Sequence, residues 1–176
     1  MSTRTAPTVN DVATGTWRLD PSRSSVEFHV PNFYGLMAVK GRFDRFHGTF
    51  DVSGPPAVAL IVEADSVDTK NPRRDKHLRS GAFFDVANHP WVRFEADAVE
   101  LDGEAMKVRG LLYAAGTYVP VEADVTVTAV GDELEIEAVA LVDQRKLGMT
   151  FSPLGTVRAP SKLIVGGRLV RADAAG

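Results

Sequence analysis

The sequence predicts an all-β protein, a single antiparallel β-barrel of about eight strands with one short helix near one end. Three observations predict it. Apolar and polar residues alternate over long stretches, the period of a strand with one dry and one wet face. Turn residues separate these stretches at hairpin spacing, as at Asp102-Gly103 and Gly131-Asp132. The stretches approach ten residues, against a usual strand length of about 5–6, so a flat sheet built from them would leave a large apolar face in water. Curling the sheet into a barrel buries that face and removes the open edges.

Each element follows from its residues. Positions 1–15 read MSTRTAPTVNDVATG, polar and without periodicity, and are expected to form a flexible N-terminal arm. The barrel domain is expected over 16–171, with 172–176 a frayed tail. Val26, Phe28 and Val30 share one face, Glu27 and His29 the other. Gly54-Pro55-Pro56 divides a strand at 43–52 from one at 57–64. The stretch 71–89, NPRRDKHLRSGAFFDVANH, breaks the alternation. Asn71 is a good N-cap and Pro72 a good first helical residue; Asp75 and Arg79 have surface-pair spacing, and Gly81 is a candidate stop. These features predict a helix over 72–80. A loop carrying Phe83-Phe84 follows, where a barrel would hold a lid or end plug. Val92, Phe94, Ala96 and Ala98 then alternate with charged residues, and Met106, Val108, Gly110 and Leu112 pair back across Asp102-Gly103. The longest run, 119–129, is joined by Gly131-Asp132 to the alternating stretch 134–142.

Composition narrows the function. A chain of 176 residues, 44% hydrophobic and 24% charged, suits one globular domain with its own core. The formal charge of −3 provides no overall attraction to nucleic acid, and none is expected as a partner. With no cysteine, disulfides, thiolate metal sites and thiol nucleophiles are excluded. His29, His47, His77 and His89 lack metal-ligand spacing, so no metal or other cofactor is expected. No apolar stretch reaches the ~20 residues of a membrane span, and the N-terminal residues carry no apolar signal core, so a cytoplasmic protein without an integral membrane span is expected. There is no G-x-S-x-G, phosphate loop or dinucleotide fingerprint.

Several motifs in order resemble the YceI-like family of polyisoprenoid-binding, lipocalin-like barrels. They are Trp17-Arg18-Leu19-Asp20-Pro21, Val39-Lys40-Gly41-Arg42-Phe43 with Gly48, and Arg74-Asp75-Lys76-His77-Leu78-Arg79-Ser80 before Phe83-Phe84-Asp85. His89-Pro90-Trp91-Val92-Arg93-Phe94, Gly110-Leu111-Leu112 with Gly116 and Pro120-Val121, and Leu147-Gly148-Met149 complete the set. The resemblance implies a barrel enclosing an elongated apolar cavity, binding of a long isoprenoid chain or isoprenoid quinone, a homodimer, and no catalytic residues. This chain departs from the pattern where the family often has histidines, at Asn32 and Ala115, which bears on any headgroup contact.

The expected ligand-binding residues are Phe28, Phe43, Phe50, Phe94, Leu112 and Met149 along the wall, Phe83 and Phe84 at an end, and Asn32, Arg74 and His77 near a headgroup. The same aromatics are equally the residues of a solid barrel core. Energetics favour a long ligand: each buried CH₂ contributes about 0.8 kcal/mol, so ten give roughly 8 kcal/mol, against association costs of roughly 4–15 kcal/mol. Small interior residues, Gly41, Gly48 and Gly110 among them, would leave room, or else serve strand coiling and bulges. Two other readings remain: an enzyme acting on a lipid or small apolar substrate, with His29 or His77 as its desolvated group, and a solidly packed, stress-related barrel that binds a partner.

Overall fold

Among the described residues eleven strands run: β1 (Thr16–Leu19), β2 (Ser25–Asn32), β3 (Met37–Phe43), β4 (Phe46–Asp51), β5 (Ala57–Glu63), β6 (Val67–Asp68), β7 (Trp91–Asp102), β8 (Ala105–Ala114), β9 (Thr117–Val130), β10 (Glu133–Val142) and β11 (Ser161–Arg171). One helix, α1 (Pro72–Leu78), lies between β6 and β7. The structure, a computed structural model, describes residues 15–32, 37–81, 83–102, 105–147 and 161–172. The expected arm and tail thus lie outside the described residues apart from Gly15 and Ala172.

Eight strands form a closed antiparallel barrel in the order β1-β4-β5-β7-β8-β9-β10-β11, with β11 returning to β1. Two of its walls are broken strands. β11 pairs with β1 through Leu19↔Leu169 and, further up, with β2 through Phe28↔Leu163. Between them the chain makes the 3-10 turn Pro21–Arg23, capped by the Asp20 carboxylate, which accepts from the Ser22 amide at 3.0 Å. Bonds from the Ser22 hydroxyl and the Arg23 guanidinium hold the Asp20 carboxyl down at about 2. β3 and β4 divide the next wall in the same way, pairing with β2 and β1 respectively.

That division corrects the strand expected over 43–52. Phe43 ends β3 and β4 starts at Phe46. At the break the Asp44 amide donates to the Ser66 carbonyl and the Arg45 amide to the Ser66 hydroxyl, so the 3-10 turn Ala64–Ser66 takes the bonds a continuous ladder would have used. Beyond the break β3 pairs with the two-residue β6 while β4 pairs with β5. The wall therefore opens between β3 and β5, and α1 follows directly from β6 at that opening.

The alternation holds along β8, β9 and β10, whose inward residues include Met106, Val108, Leu112, Val119, Val127 and Leu134. On β7 it slips. A bulge between Ala96 and Ala98 turns Ala98 outward and sends Val99 into the core, correcting the expectation for Ala98. Gly110, opposite, permits it: a Cβ there would sit 2.1 Å from the Glu95 carbonyl oxygen. The β9–β10 turn falls at Gly131, φ +61°, as expected.

The helix is shorter than expected, ending at Leu78 with Arg79 as its C-cap. Asn71 is the N-cap, its side chain accepting from the Arg74 amide at 3.1 Å. Gly81 does not adopt a left-handed terminating conformation, and Asp75 and Arg79 do not form the expected surface pair. Asp75 is buried and accepts from the Thr69 amide at 2.9 Å and from the Thr69 hydroxyl. Arg79 instead reaches Asp65 Oδ1 at 3.2 Å and the carbonyls of Asp65 and Val67. Both residues pin the helix to the opening in the wall, which uses their side chains inward rather than along the helix surface.

Candidate functional site: an apolar bore with a pinned lid

The loop after α1 is tied to itself and to the helix end. The Phe83 and Asp85 amides donate to the Ser80 carbonyl, the Phe84 amide to Leu78, and the Val86 amide to Arg79. This fixes Phe83 and Phe84 over the opening. The Phe84 ring meets Phe43 edge-on at 5.6 Å and Phe28 at 6.5 Å, while Phe28 and Phe43 lie 5.5 Å apart. Phe83 packs against the His77 ring at 5.0 Å. Edge-to-face packing at these separations holds ring positions as well as burying area.

Behind the rings three cavities follow one another inside the barrel. The mouth cavity, about 140 Å³, is lined by Phe28, Phe43, Phe83, Phe84, Leu112, Arg74 and His77, with Val30, Val39, Val142, Leu147, Ser161 and Leu163 among the rest. A middle cavity of about 90 Å³ shares Phe43, Val92, Leu112 and Leu163 with it and has no polar side chain in its wall. A far cavity of about 110 Å³ shares Leu60, Phe94, Ala123 and Val165 with the middle one and reaches Leu19, Phe50 and Val127. On β8 the wall runs from Ala114 at the mouth to Met106 at the far end, about 20 Å along the barrel axis at ordinary strand rise and tilt.

The expected site residues divide accordingly. Phe28, Phe43, Phe83, Phe84, Leu112, Arg74 and His77 come together at the mouth, Phe94 lies deeper, and Phe50 stands at the far end. The Asn32 backbone pairs with Met37 at the end of β2, but its side chain, like all of Met149, lies outside the described residues. Ala115 sits at φ +50° in the tight β8–β9 turn. The interior glycines do not act alike. The space beside Gly41 is taken by the Phe28 ring, which a Cβ would meet at 2.4 Å, whereas Gly48 borders the far cavity against Leu19.

Arg74 is anchored as well as placed: its Nε donates to the Thr69 hydroxyl and its Nη2 to the Thr69 carbonyl, each at 2.8 Å. Thr69 thus links Arg74 to Asp75, with both Thr69 and Asp75 buried. Reasoning from the sequence missed Thr69 and Ser161, and named Leu147 in a family motif without placing it at the mouth. A threonine between β6 and an N-cap carries no periodic signal, and the stretch before β11 offers none.

Residues 17–165 match the YceI-like domain. The chain belongs to the YceI-like family. Within it, the chain is 37% identical over 112 residues to a UPF0312 protein of Pectobacterium carotovorum and 36% identical over the same length to one of Pseudomonas aeruginosa. Those matches take in 61% of this chain and 58% of each relative, so the chain spans under two thirds of the curated relatives it matches. Two solved structures share the family fold. Burkholderia cenocepacia BcnA superposes with a TM-score of 0.77 at 16% identity, covering 86% of this chain and 99% of that one. A polyisoprenoid-binding domain from Saccharophagus degradans, implicated in plant cell wall breakdown, superposes at 0.67 and 14% identity over 90% of this chain and 99% of that one.

Proposed function

We propose that the protein binds and carries a long apolar lipid, an isoprenoid chain or isoprenoid quinone, with its tail along the bore and its polar end at Arg74, His77 and Ser161, and that it does so without catalysis. The observation that carries this reading is the run of three cavities sharing walls from the mouth to Phe50, carbon-lined throughout its middle. Such a lining contributes binding energy in proportion to the tail it covers, which favours long ligands over short ones. The polar groups at one end only fix a direction of entry. The structural neighbour named as a polyisoprenoid-binding domain supports the ligand class. Among the described residues Arg74 and His77 are the ionisable ones of the mouth wall; Arg74 is held by Thr69 and His77 against Phe83, which suits positioning a headgroup. Pairing of two copies, implied by the family resemblance, belongs to the same reading and is checked by light scattering.

The test is native mass spectrometry of the protein purified gently from its host. A co-purified lipid with a branched tail is the expected result. A ligand-free chain that also fails to take up isoprenoid alcohols overturns the reading.

A further inference from the structure

The exposed surface is not uniform along the barrel. Among the described residues the exposed large hydrophobics are Ile61, Trp91, Leu111, Tyr118 and Leu141. Single exposed hydrophobics are ordinary on any protein, but these five collect at one end. Trp91, Leu111 and Leu141 are the outward chain neighbours of Val92, Leu112 and Val142, which line the mouth cavity. Ile61 and Tyr118 join the same level through Ile61↔Arg93, Arg93↔Tyr113 and Tyr113↔Tyr118 across β5, β7, β8 and β9. The Tyr113 and Tyr118 rings lie 4.8 Å apart.

The rest of the rim is cationic. Lys40 and Lys162 flank His29 on adjacent strands, beside the mouth residues Val39 and Ser161. Arg73 and Lys76 stand exposed on α1, and Lys146 lies beside the mouth residue Leu147. None of these five has an ion-pair partner among the described residues. Beside this cationic arc Asp44 is taken by Arg42, Asp65 by Arg79 and Asp68 by Lys70; Glu95 and Asp97 stand exposed beside the aromatic arc. At the far end Lys107 and Arg109 pair instead with Glu122, and Arg23 and Arg168 with Glu133. The formal charge of −3 conceals this asymmetry.

We propose that the rim docks on an anionic lipid bilayer, aromatic arc inserted and cationic arc on the headgroups, with the bore facing the membrane. Trp and Tyr favour the interface because one end is apolar and the other wet, and lysines reach headgroups while their stems lie on apolar surface. Charge complementarity selects this occupant over a second copy, whose unpaired acids beside the aromatic arc, Glu95 and Asp97, are fewer than the five unpaired cations it would have to meet. The inference goes beyond the cargo reading and stands without it, since docking uses the outer face alone.

The test is co-sedimentation with phosphatidylcholine vesicles made with and without phosphatidylserine, together with tryptophan emission. Binding only to phosphatidylserine vesicles, with a blue shift from Trp91, is expected; Trp17 is buried and contributes no shift. The Lys40→Gln/Lys162→Gln double variant should bind about thirty-fold more weakly, from about five-fold per surface cation, and Trp91→Ser should abolish the shift. Lys107→Gln, at the far end, should change nothing. Indifference to phosphatidylserine, equal binding by the rim variants, or a rim variant that breaks a dimer instead of vesicle binding each overturns the proposal. Mass spectrometry of retained lipid in the same samples separates this outcome from failure of the cargo reading.

Discussion

Replacing Asp75 by alanine tests the claim that the mouth is held by one buried carboxylate. In the structure this carboxylate accepts the Thr69 amide at 2.9 Å and the Thr69 hydroxyl, which itself accepts from Arg74 Nε at 2.8 Å. Hydrogen bonds to a charged group contribute about 1.5–3 kcal/mol each, and a buried amide left without its acceptor costs about 1–3 kcal/mol. Arg74 also loses its only neighbouring anion in this network. The effects overlap, so the expected loss is about 3–5 kcal/mol rather than their sum, the range for breaking one side of a buried polar pair. Urea unfolding measures it. Hydrogen exchange should locate it, with amides over 72–90 exchanging faster while β8 and β9 stay protected. Asp75→Asn keeps one acceptor and should recover about half of the loss. A loss under about 1 kcal/mol with unchanged exchange over 72–90 would refute the reasoning.

Other outcomes follow from the same geometry. Gly41→Ala should destabilise by about 1–3 kcal/mol in thermal unfolding, because its Cβ would push the Phe28 ring and Thr69 from positions only 2.4 and 2.8 Å away. Ala138→Phe should fill the middle cavity of about 90 Å³ and cut lipid retention at least ten-fold by native mass spectrometry, while circular dichroism still reports an intact barrel. The Asp20 carboxyl titrates at about 2 in the folded chain against 3.8 ordinarily, so its contribution is present above about pH 4 and lost as pH falls towards 2. Acid unfolding of Asp20→Asn should lack that step.

The barrel was legible because alternation is a geometric consequence of the strand, and four long strands, β7 to β10, display it with turn residues between them. It failed where a local event overrode the period. The bulge at Ala96–Ala98 reversed the face of Ala98 and Val99, and nothing in the residues 92–98 signals it; the clue lay across the sheet, in Gly110. β11 carries no clean alternation, since Gly166-Gly167 interrupts it and Gly167, at φ +150°, makes room for Ser24 at the β1–β2 break. Phe28, Phe43 and Leu112 were legible as inward residues, and Phe83-Phe84 stood out as an apolar pair in a polar stretch. Asp75 was misplaced because helical spacing describes neighbours on the same helix, and its partner Thr69 lies before the helix begins.

The last strand has a consequence in time. β11 meets β1 and β2 on one side and β10 on the other, so residues 16–32, whose other edge is taken early by β4 and β3, find the partners of this edge only in residues 161–171. During synthesis the N-terminal strands emerge roughly 130 residues before those partners exist, and looping over that distance costs only slowly more with length yet delays folding. A nascent chain therefore waits with one edge of β1 and β2 unpaired until translation reaches β11, which makes that interval the one in which a holding chaperone matters most.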